Sequence, residues 1–440
     1  MTPTKSKYAN VLHKCINSRF IRDVGIVGTG TAGAQAIGIA FAPFITRFYG
    51  PEALGFLGAF LAIVSILNPV AAFTYPIAIV LPREDGEARD IALLSSLVAL
   101  GNAFVIAVIL LVSGDFLVEL LNLQAMSAFI LLVPLVMLFS AWLQIVQQWL
   151  IRKKKFNLTA QVAVLQALIV NGAKTGIGVF KPLAAVLIVI SAVGTLIHFL
   201  MLGIGAKRSG LPMDGKSFID MNPSSWAVAK KYYDFPVYRA PQTLINAVSQ
   251  SLPVLMLAAF FGPTSAGFYA LCLRVLRIPG QLIATSVSQV FYPRIAEAEH
   301  KGENLTRLIV KTTAVLALVG FIPLVPVVAI GPWLFGFVFG PKWVVAGEYA
   351  RWLAFWIFFA FINRPSLVSI PVLRLQGFLL VCEIVSIVLR LLALLAGFYL
   401  FKSDILAIAL FSFAGAIFNL SVIIMSIWRS HFMAKEGTGS

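Results

Sequence analysis

Two stretches of the sequence, FYGPEALGF (48–56) and FFGPTSAGF (260–268), share a Gly-Pro step that is separated by three residues from a following Gly-Phe step. Each begins an apolar segment about one membrane span long, and the two segments end in VLPR (80–83) and FYPR (291–294). Equivalent positions lie 211 to 212 residues apart, so the pattern occurs once in each half of the 440-residue chain. The repeat predicts two related helical bundles, since internal repeats of this kind are common in two-lobed membrane folds.

The composition indicates a membrane protein. Hydrophobic residues make up 60% of the chain and charged residues 12%, whereas soluble domains are about 25% charged. About twelve apolar runs are long enough to cross a hydrocarbon core of about 30 Å, and runs of this length form helices because every backbone polar group in a membrane must be hydrogen-bonded. We therefore predict an all-α polytopic fold, with spans near 22–47, 54–80, 90–113, 126–151, 158–180, 183–205, 236–261, 266–292, 306–331, 347–372, 376–400 and 404–428.

The repeat divides these spans into two pseudo-symmetric six-helix lobes around a central cavity. The N-terminal lobe is predicted over 1–205, with a basic lead-in at 1–21, and the C-terminal lobe over 236–430. The polar stretch 206–235 is predicted to be a cytoplasmic linker. The tail 431–440 is expected in the cytoplasm, and its final Gly-Thr-Gly-Ser is expected to derive from cloning.

The net charge of +16 is explained by membrane topology, so we expect no nucleic-acid partner. With the N-terminus inside, the predicted inner loops and termini hold most of the 34 Lys and Arg. The predicted outer loops hold only Arg47, Lys181, Lys342, Arg351 and Lys402. This bias places both termini in the cytoplasm of a multi-pass protein of the bacterial cytoplasmic (inner) membrane.

The first span contains a Gly-x-Gly-x-x-Gly pattern at Gly28, Gly30 and Gly33. In a dinucleotide site this pattern follows a strand, but here it lies within a predicted spanning helix. Small residues at such spacing let helices approach closely in lipid. We interpret the glycines as a helix-packing surface.

No enzyme signature occurs in the sequence. There is no Ser-His-Asp set and no phosphate-binding loop, and Cys15, Cys272 and Cys382 show neither a pairing pattern nor metal-ligand spacing. We therefore expect a transporter, with no catalytic residues, no metal and no cofactor beyond a coupling ion, H⁺ or Na⁺.

Charged residues within the spans are mostly basic. Charges at membrane depth are costly and usually functional, and the clear intramembrane carboxylate is Glu383, the candidate for ion coupling. A cavity lined by such cations would attract anions. The candidate anion-binding residues are Arg274, Arg277, Lys174, Arg239, Arg364 and Arg390.

Two neighbouring helices carry continuous polar faces at helical spacing. We expect both faces to line one aqueous pathway, together with polar residues of the second and fourth helices. Besides the arginines, the residues predicted to line it are Asn68, Gln144, Gln242, Asn246, Gln250, Gln281, Thr285 and Ser288.

Several of these cations have a structural alternative. Arg239 could instead snorkel to the inner headgroups, and Lys174 could reach the outer interface. Arg390 and Glu383, seven residues apart on one helix face, could pair with each other. Arg364 precedes Pro365, where it could cap carbonyls that the proline frees.

The runs RFYGPEALGFLGAFLAIVSILNPVAAFTYPIAIVLPREDGEA (47–88) and GPTSAGFYALCLRVLRIPGQLIATSVSQVFYPRIAE (262–297) resemble those of Wzx-type polysaccharide and O-antigen flippases. The resemblance implies membership of the multidrug/oligosaccharidyl-lipid/polysaccharide (MOP) superfamily, with its MATE-like fold. It also implies the substrate, an undecaprenyl-pyrophosphate-linked oligosaccharide moved from the inner to the outer leaflet for lipopolysaccharide O-antigen or other polysaccharide synthesis. Polysaccharide polymerases or other assembly proteins are the partners it implies.

The sequence leaves three alternative functions open. The chain could export another anionic or amphipathic solute in the manner of MATE transporters. It could flip a lipid-II-type substrate. It could also be a membrane enzyme of polysaccharide assembly.

Overall fold

The computed structural model describes residues 19–211 and 224–436; within them, the side chains of 19–27, 224–227, 278–279, 281–286, 288–290 and 434–436 are not described. Most of the described residues are helical and none is in a strand. The all-α prediction is confirmed. No side chain is described in the predicted lead-in 1–21, in residues 212–227 of the predicted linker, or in the final four residues.

Fourteen α-helices follow one another along the described chain. They are α1 Arg19–Phe48, α2 Pro51–Ala71, α3 Asp85–Leu120, α4 Leu132–Arg152, α5 Phe156–Phe180, α6 Ala184–Arg208, α7 Ser224–Lys231, α8 Ala240–Phe261, α9 Pro263–His300, α10 Leu305–Phe339, α11 Val344–Ile362, α12 Arg364–Leu373, α13 Gln376–Tyr399 and α14 Asp404–Glu436. Short 3-10 turns cover Tyr75–Val80, Gln124–Phe129 and Pro341–Trp343, and a π-helical turn covers Phe235–Arg239.

Ten helical segments of the described chain are long and apolar enough to cross a membrane. The two predicted spans not among them, 22–47 and 266–292, lie in α1 and α9, which are helices of 30 and 38 residues. Multi-pass membrane architecture is thereby confirmed.

Three predicted spans are interrupted. The span predicted at 54–80 is α-helical only to Ala71, because Phe73 and Thr74 adopt left-handed φ angles of 45° and 57°. The span at 347–372 breaks at Asn363, since Pro365 cannot donate a backbone hydrogen bond. The span at 306–331 continues to Phe339 across a kink at Ile330.

The chain forms two compact units, and two of the three boundaries between them fall within helices. The first unit comprises 1–49 and 59–252, and the second comprises 50–58 and 253–440. Helices α2 and α8 are therefore each shared, and α8 divides where Pro253 follows Leu252. This packing boundary differs from the predicted linker at 206–235, because the first half of α8 belongs by its contacts to the first unit. The pseudo-symmetric lobes stay a prediction.

In the first unit, α1 packs closely along α5. A Cβ atom added to Gly30 would lie 2.4 Å from the Cβ of Ala160, and one added to Gly33 would lie 3.4 Å from Val164. At position 30 only glycine fits, whereas a Cβ at position 33 would make an ordinary van der Waals contact. The interpretation of this glycine pattern as a helix-packing surface is confirmed at Gly30, whereas Gly28 has open space beside it.

The charged inner loop of the first unit is organised by Arg152. Its guanidinium donates to Asp85 (3.0 Å) and to the backbone carbonyls of Pro82 (2.5 Å), Ile79 (3.3 Å) and Arg83 (3.2 Å). One arginine thus satisfies the carbonyls that follow the 3-10 turn, so the loop has a fixed conformation.

The segment after α7 is joined to the same loop. Lys231 donates to Glu87 at 2.5 Å, and the Tyr232 hydroxyl donates to the same carboxylate at 3.1 Å. The hydrogen bond to Glu87 raises the pKa of Lys231. The Thr74 hydroxyl donates to the carbonyl of Phe235 at 3.1 Å, which anchors the chain just before α8.

In the second unit, the two copies of the repeated motif pack on each other reciprocally. A Cβ atom on Gly55 would lie 1.7 Å from the carbonyl oxygen of Pro263, and one on Gly267 would lie 2.0 Å from that of Pro51. Real Cβ atoms do not approach a backbone oxygen so closely. Both glycines are therefore required for α2 and α9 to cross at this point.

Helices α11 and α14 of the second unit pack in parallel with a constant register. Tyr349 donates to Asp404, the rings of Trp356 and Phe411 meet edge to face at 5.3 Å, and Asn363 donates to Asn419 at 3.0 Å. These pairs are 55 or 56 residues apart in sequence. The register places Trp356 midway along the interface.

We predict that Gly55→Leu and Gly267→Leu each lower the melting temperature of the detergent-solubilised protein markedly. Overpacking a fitted interior costs about 1–3 kcal/mol, and here the added carbons would meet backbone that cannot move aside as a side chain can. The matched control is Gly50→Ala in the same motif, since a Cβ there has nothing within 4 Å. An unchanged melting temperature for both leucine variants would contradict the reciprocal contact.

Candidate functional site

The first unit encloses an open polar cavity of about 940 Å³. Its lining includes six carboxamide side chains, five hydroxyls and one charged side chain, that of Arg239. No carboxylate is among the lining residues, which are Ser65, Asn68, Pro69, Thr74, Ile77, Ser140, Leu143, Gln144, Gln147, Thr195, Arg239, Gln242, Thr243, Asn246, Ala247 and Gln250.

Helical spacing explains how these side chains converge. Ser140, Gln144 and Gln147 follow steps of four and three along α4, so they share one face. On α8, a shared face is formed by Gln242, Asn246 and Gln250, which are four residues apart. There the Gln250 side chain donates a hydrogen bond of 2.7 Å to the side chain of Asn246. These two faces contribute four of the predicted lining residues, Gln144, Gln242, Asn246 and Gln250, and α2 contributes a fifth, Asn68.

Arg239 supplies the cavity's single positive charge. It ends the π-helical turn before α8, and its guanidinium carbon lies 5.9 Å from the ring centre of Phe235. The Arg239 side chain lies in the cavity lining, which is the position expected of an anion-binding residue rather than of one that snorkels to the headgroups.

Lys174 is not one of the residues lining this cavity. It lies half-buried on α5, and its backbone carbonyl accepts a hydrogen bond of 3.0 Å from the Tyr49 hydroxyl. The neighbouring Asn171 is buried and its side chain donates to the carbonyl of Ala167 on its own helix. Whether Lys174 binds an anion stays a prediction.

The second unit brings two of the predicted cations together on one indole. The guanidinium carbon of Arg277 lies 5.4 Å from the ring centre of Trp356, and that of Arg390 lies 5.6 Å from the same ring. Arg390 also contacts Phe411 at 5.8 Å and donates to the Ser386 hydroxyl at 3.1 Å. We call Arg277 and Arg390 the cationic pair.

Gly415 makes room for the indole that the cationic pair contacts. A Cβ atom at position 415 would lie 2.5 Å from Cδ1 of Trp356. With no side chain there, the ring of Trp356 fits against α14 and keeps its faces available to the guanidinium groups. Cation–π contacts of this kind stabilise by about 0.5–2 kcal/mol each.

Two like charges on one ring repel each other, so the arrangement favours an anion that bridges them. Arginine is suited to this because its planar fork binds phosphate oxygens in pairs. The chemistry available at the cationic pair is therefore recognition of a phosphate-like group.

The remaining predicted cations of the second unit are Arg274 and Arg364. Arg274 is exposed on α9, one turn before Arg277. Arg364 starts α12, and its buried Nε has no hydrogen-bond partner within the described chain, so the predicted capping of freed carbonyls is not made by this atom. Whether Arg274 or Arg364 binds an anion stays a prediction.

Glu383 is exposed on α13 and does not pair with Arg390. Arg390 bonds instead to Ser386, one turn away on the same helix. Within the described residues the two groups thus form no direct ion pair, although their charges interact at longer range. The side chains of Gln281, Thr285 and Ser288, also predicted to line the pathway, lie outside the described residues, although their backbone belongs to α9.

Sequence reasoning missed Trp356 and Asp404. Trp356 lies in an apolar run with no polar neighbour to mark it, and only its seven-residue spacing from Tyr349 and Asn363 signals a shared helix face. The Asp404 carboxylate accepts hydrogen bonds from Ser265 (2.7 Å), Tyr349 and its own helix at Ile405 (2.9 Å). Its role is to hold the N-terminal end of α14.

The fold is shared with solved transporters. The inward-facing structure of a multidrug resistance MATE family transporter of the MOP superfamily superposes with a TM-score of 0.70 at 12% identity, covering 93% of this chain and 95% of that one. The lipid II flippase MurJ, in an inward closed conformation, gives 0.67 at 13% identity over 91% and 87%. A MOP superfamily transporter from Pyrococcus furiosus gives 0.59 at 11% identity over 94% and 95%.

At the level of sequence, comparison with curated proteins finds no match. The profile of one family, described as polysaccharide biosynthesis protein, matches residues 44–348. That range covers more than half of the chain and includes both copies of the repeated motif. The chain therefore belongs to the polysaccharide biosynthesis protein family and has the fold of the MOP superfamily transporters and flippases.

Proposed function

We propose that this protein is a flippase that moves an undecaprenyl-pyrophosphate-linked oligosaccharide from the cytoplasmic to the periplasmic leaflet of the bacterial inner membrane. The observation that carries the proposal is the lining of the first unit's cavity: six carboxamides, five hydroxyls, one arginine and no carboxylate. Carboxamides and hydroxyls both donate and accept hydrogen bonds, as sugar hydroxyls require. A cavity without carboxylates does not favour the cationic drugs that multidrug exporters carry.

The volume supports a ligand of oligosaccharide size. Small-molecule pockets measure about 300–1,000 Å³, and this cavity, at about 940 Å³, is at the top of that range. Within the second unit, the cationic pair offers two guanidinium groups that suit a pyrophosphate. Arg274, Arg364, Lys174 and Arg239 are further candidates for contacts with it along the transport path.

The proposed mechanism is alternating access. The sugar binds to the carboxamide faces of α4 and α8, the pyrophosphate binds to arginine, and the undecaprenyl chain stays in lipid. The lobes then reorient towards the periplasm. The drive is an H⁺ or Na⁺ gradient, with Glu383 as the coupling candidate, or the removal of product by a polymerase or another assembly protein.

A lipid-II-type substrate is the second candidate, because the fold is similar to that of the lipid II flippase MurJ. Both substrates end in the same prenyl pyrophosphate and differ in the glycan. Competition between the two lipids in one transport assay separates the candidates: the true substrate inhibits at the lower concentration.

The test of the proposal is transport in proteoliposomes. We expect wild-type protein to move a fluorescent lipid-linked oligosaccharide between leaflets and Arg277→Gln with Arg390→Gln to reduce the rate at least about tenfold, since each hydrogen bond to a charged group contributes about 1.5–3 kcal/mol. Arg307→Gln, an exposed arginine of α10 outside the cationic pair, is the control. Normal transport by the double variant would reject the role of the pair, and lengthened glycan products would indicate an enzyme instead.

We also predict that Trp356→Leu weakens transport about tenfold through a higher apparent KM, because the two guanidinium groups lose the ring that positions them. Trp356→Phe, which keeps an aromatic face, should recover part of the loss. Trp352→Leu on the same helix is the matched control, since Trp352 packs on Phe413 and not on the arginines. An unchanged KM in Trp356→Leu would show that the indole does not position the pair.

A further inference from the structure

A second cavity, in the second unit, is lined by apolar residues throughout. It measures about 220 Å³ and lies among α9, α10 and α11. We call it the apolar pocket; its lining is Val275, Leu276, Gly280, Val319, Gly320, Pro323, Leu324, Val327, Ala354, Ile357, Phe358 and Phe361.

The sequence of α10 explains why space exists here. Pro323 interrupts the hydrogen-bond ladder of α10 on the pocket's side. Gly320 presents bare backbone to two aromatic rings, since a Cβ there would lie 3.0 Å from Phe361 and 3.2 Å from Phe358. The glycine and the kinking proline thus lie on the α10 side of the pocket, while Phe358 and Phe361 belong to its α11 side.

The chemistry of the lining determines what can occupy it. Protein interiors contain few voids larger than a water molecule, and an apolar cavity gives water no partners and stays dry. An apolar cavity of about 150 Å³ holds a benzene molecule, so the apolar pocket has room for a branched hydrocarbon segment. A hydrocarbon chain is the occupant that restores the missing contacts.

The pocket lies at the same depth as the cationic pair. Leu276 of the pocket directly precedes Arg277, and Ile357 directly follows Trp356. Consecutive helical residues differ by about 1.5 Å along the axis. The two helices therefore present hydrocarbon-binding and phosphate-binding groups at one level.

We expect that level to be deep in the membrane. Arg277 is the twelfth of the 27 residues in the predicted span 266–292, about 17 Å from the start of the span at 1.5 Å per residue, and the hydrocarbon core is about 30 Å thick. Phosphates of resting bilayer lipids stay at the interface and do not reach this depth. A lipid whose phosphate passes the cationic pair is one that is crossing the membrane.

We propose that the apolar pocket binds the isoprene units next to the phosphate of the lipid-linked substrate during transport, while the rest of the undecaprenyl chain stays in lipid. The inference rests on the proposed function and adds a site for the lipid to those for sugar and phosphate. The pair's positive charge complements the phosphate, and the pocket complements the methyl-branched chain attached to it. Ordinary acyl chains of bilayer lipids are the competing occupants.

The test is photolabelling of the full-length protein in nanodiscs with a diazirine-bearing polyprenyl phosphate, mapped by mass spectrometry. We expect labelled peptides from α9, α10 and α11. Val327→Trp fills the pocket and should reduce this labelling at least fivefold. Val325→Trp, on the exposed side of α10, is the matched control and should leave labelling unchanged.

A diazirine-bearing phosphatidylglycerol serves as the acyl-chain probe. Equal labelling of the pocket by this probe, or labelling that survives Val327→Trp, would overturn the proposal. Leu276→Phe provides a second filling variant should the tryptophan variant fail to give monodisperse protein.

Failure of this inference and failure of the proposed function have different signatures. If the wild-type protein transports lipid-linked oligosaccharide but the pocket is not labelled by polyprenyl phosphate, the inference alone is wrong. If the pocket is labelled but no oligosaccharide lipid is transported, the proposed function is wrong and the site binds an isoprenoid for another purpose.

Discussion

The crossing of α2 and α9 depends on two glycines. Gly55 lies against the carbonyl of Pro263 while Gly267 lies against the carbonyl of Pro51, and any side chain at either position would overlap backbone. The contact joins the two copies of the repeated motif to each other, so the same Gly-Pro pattern both begins each helix and provides its partner's surface. It also assigns the first turns of α2 to the second unit, although the rest of that helix belongs to the first. Helix α2 therefore contributes residues to both units and connects them covalently.

Breaks in helices accompany the polar positions of both units. The left-handed residues Phe73 and Thr74 end α2 beside the first unit's cavity, which Thr74 helps to line. Asn363 ends α11 at the point where Pro365 removes a donor, and it is there that Asn363 and Asn419 form a buried pair. Non-helical backbone at membrane depth persists only where protein or water satisfies its polar groups. The helix breaks and the polar side chains therefore occur together in this fold.

Hydropathy and spacing predicted the helices and the charged residues, but not which faces meet. Each stripe, such as Gln242, Asn246 and Gln250, follows from the 3.6-residue period alone, and the stripes do converge in one cavity. The period gives no information about partners far apart in sequence. Arg277 and Arg390 come together because both contact the ring of Trp356, which fits since residue 415 is glycine. The bond of Arg390 to Ser386 was missed for a different reason: the helical period places both Ser386 and Glu383 on the side of Arg390 and does not decide between them.

Arginine stacked on tryptophan suits a phosphate site within a membrane better than lysine would. A binding site for phosphate within a membrane must keep its positive charge when no ligand is bound, and a buried lysine readily loses its proton whereas arginine does not. The guanidinium group is also weakly hydrated and stacks on aromatic rings, so the Trp356 ring partly replaces the water that Arg277 and Arg390 lose. The replacement is incomplete, because a ring's quadrupole attracts a cation less strongly than an anion does. The pair therefore remains charged, oriented and incompletely neutralised, which is the condition under which a passing phosphate binds without being held permanently.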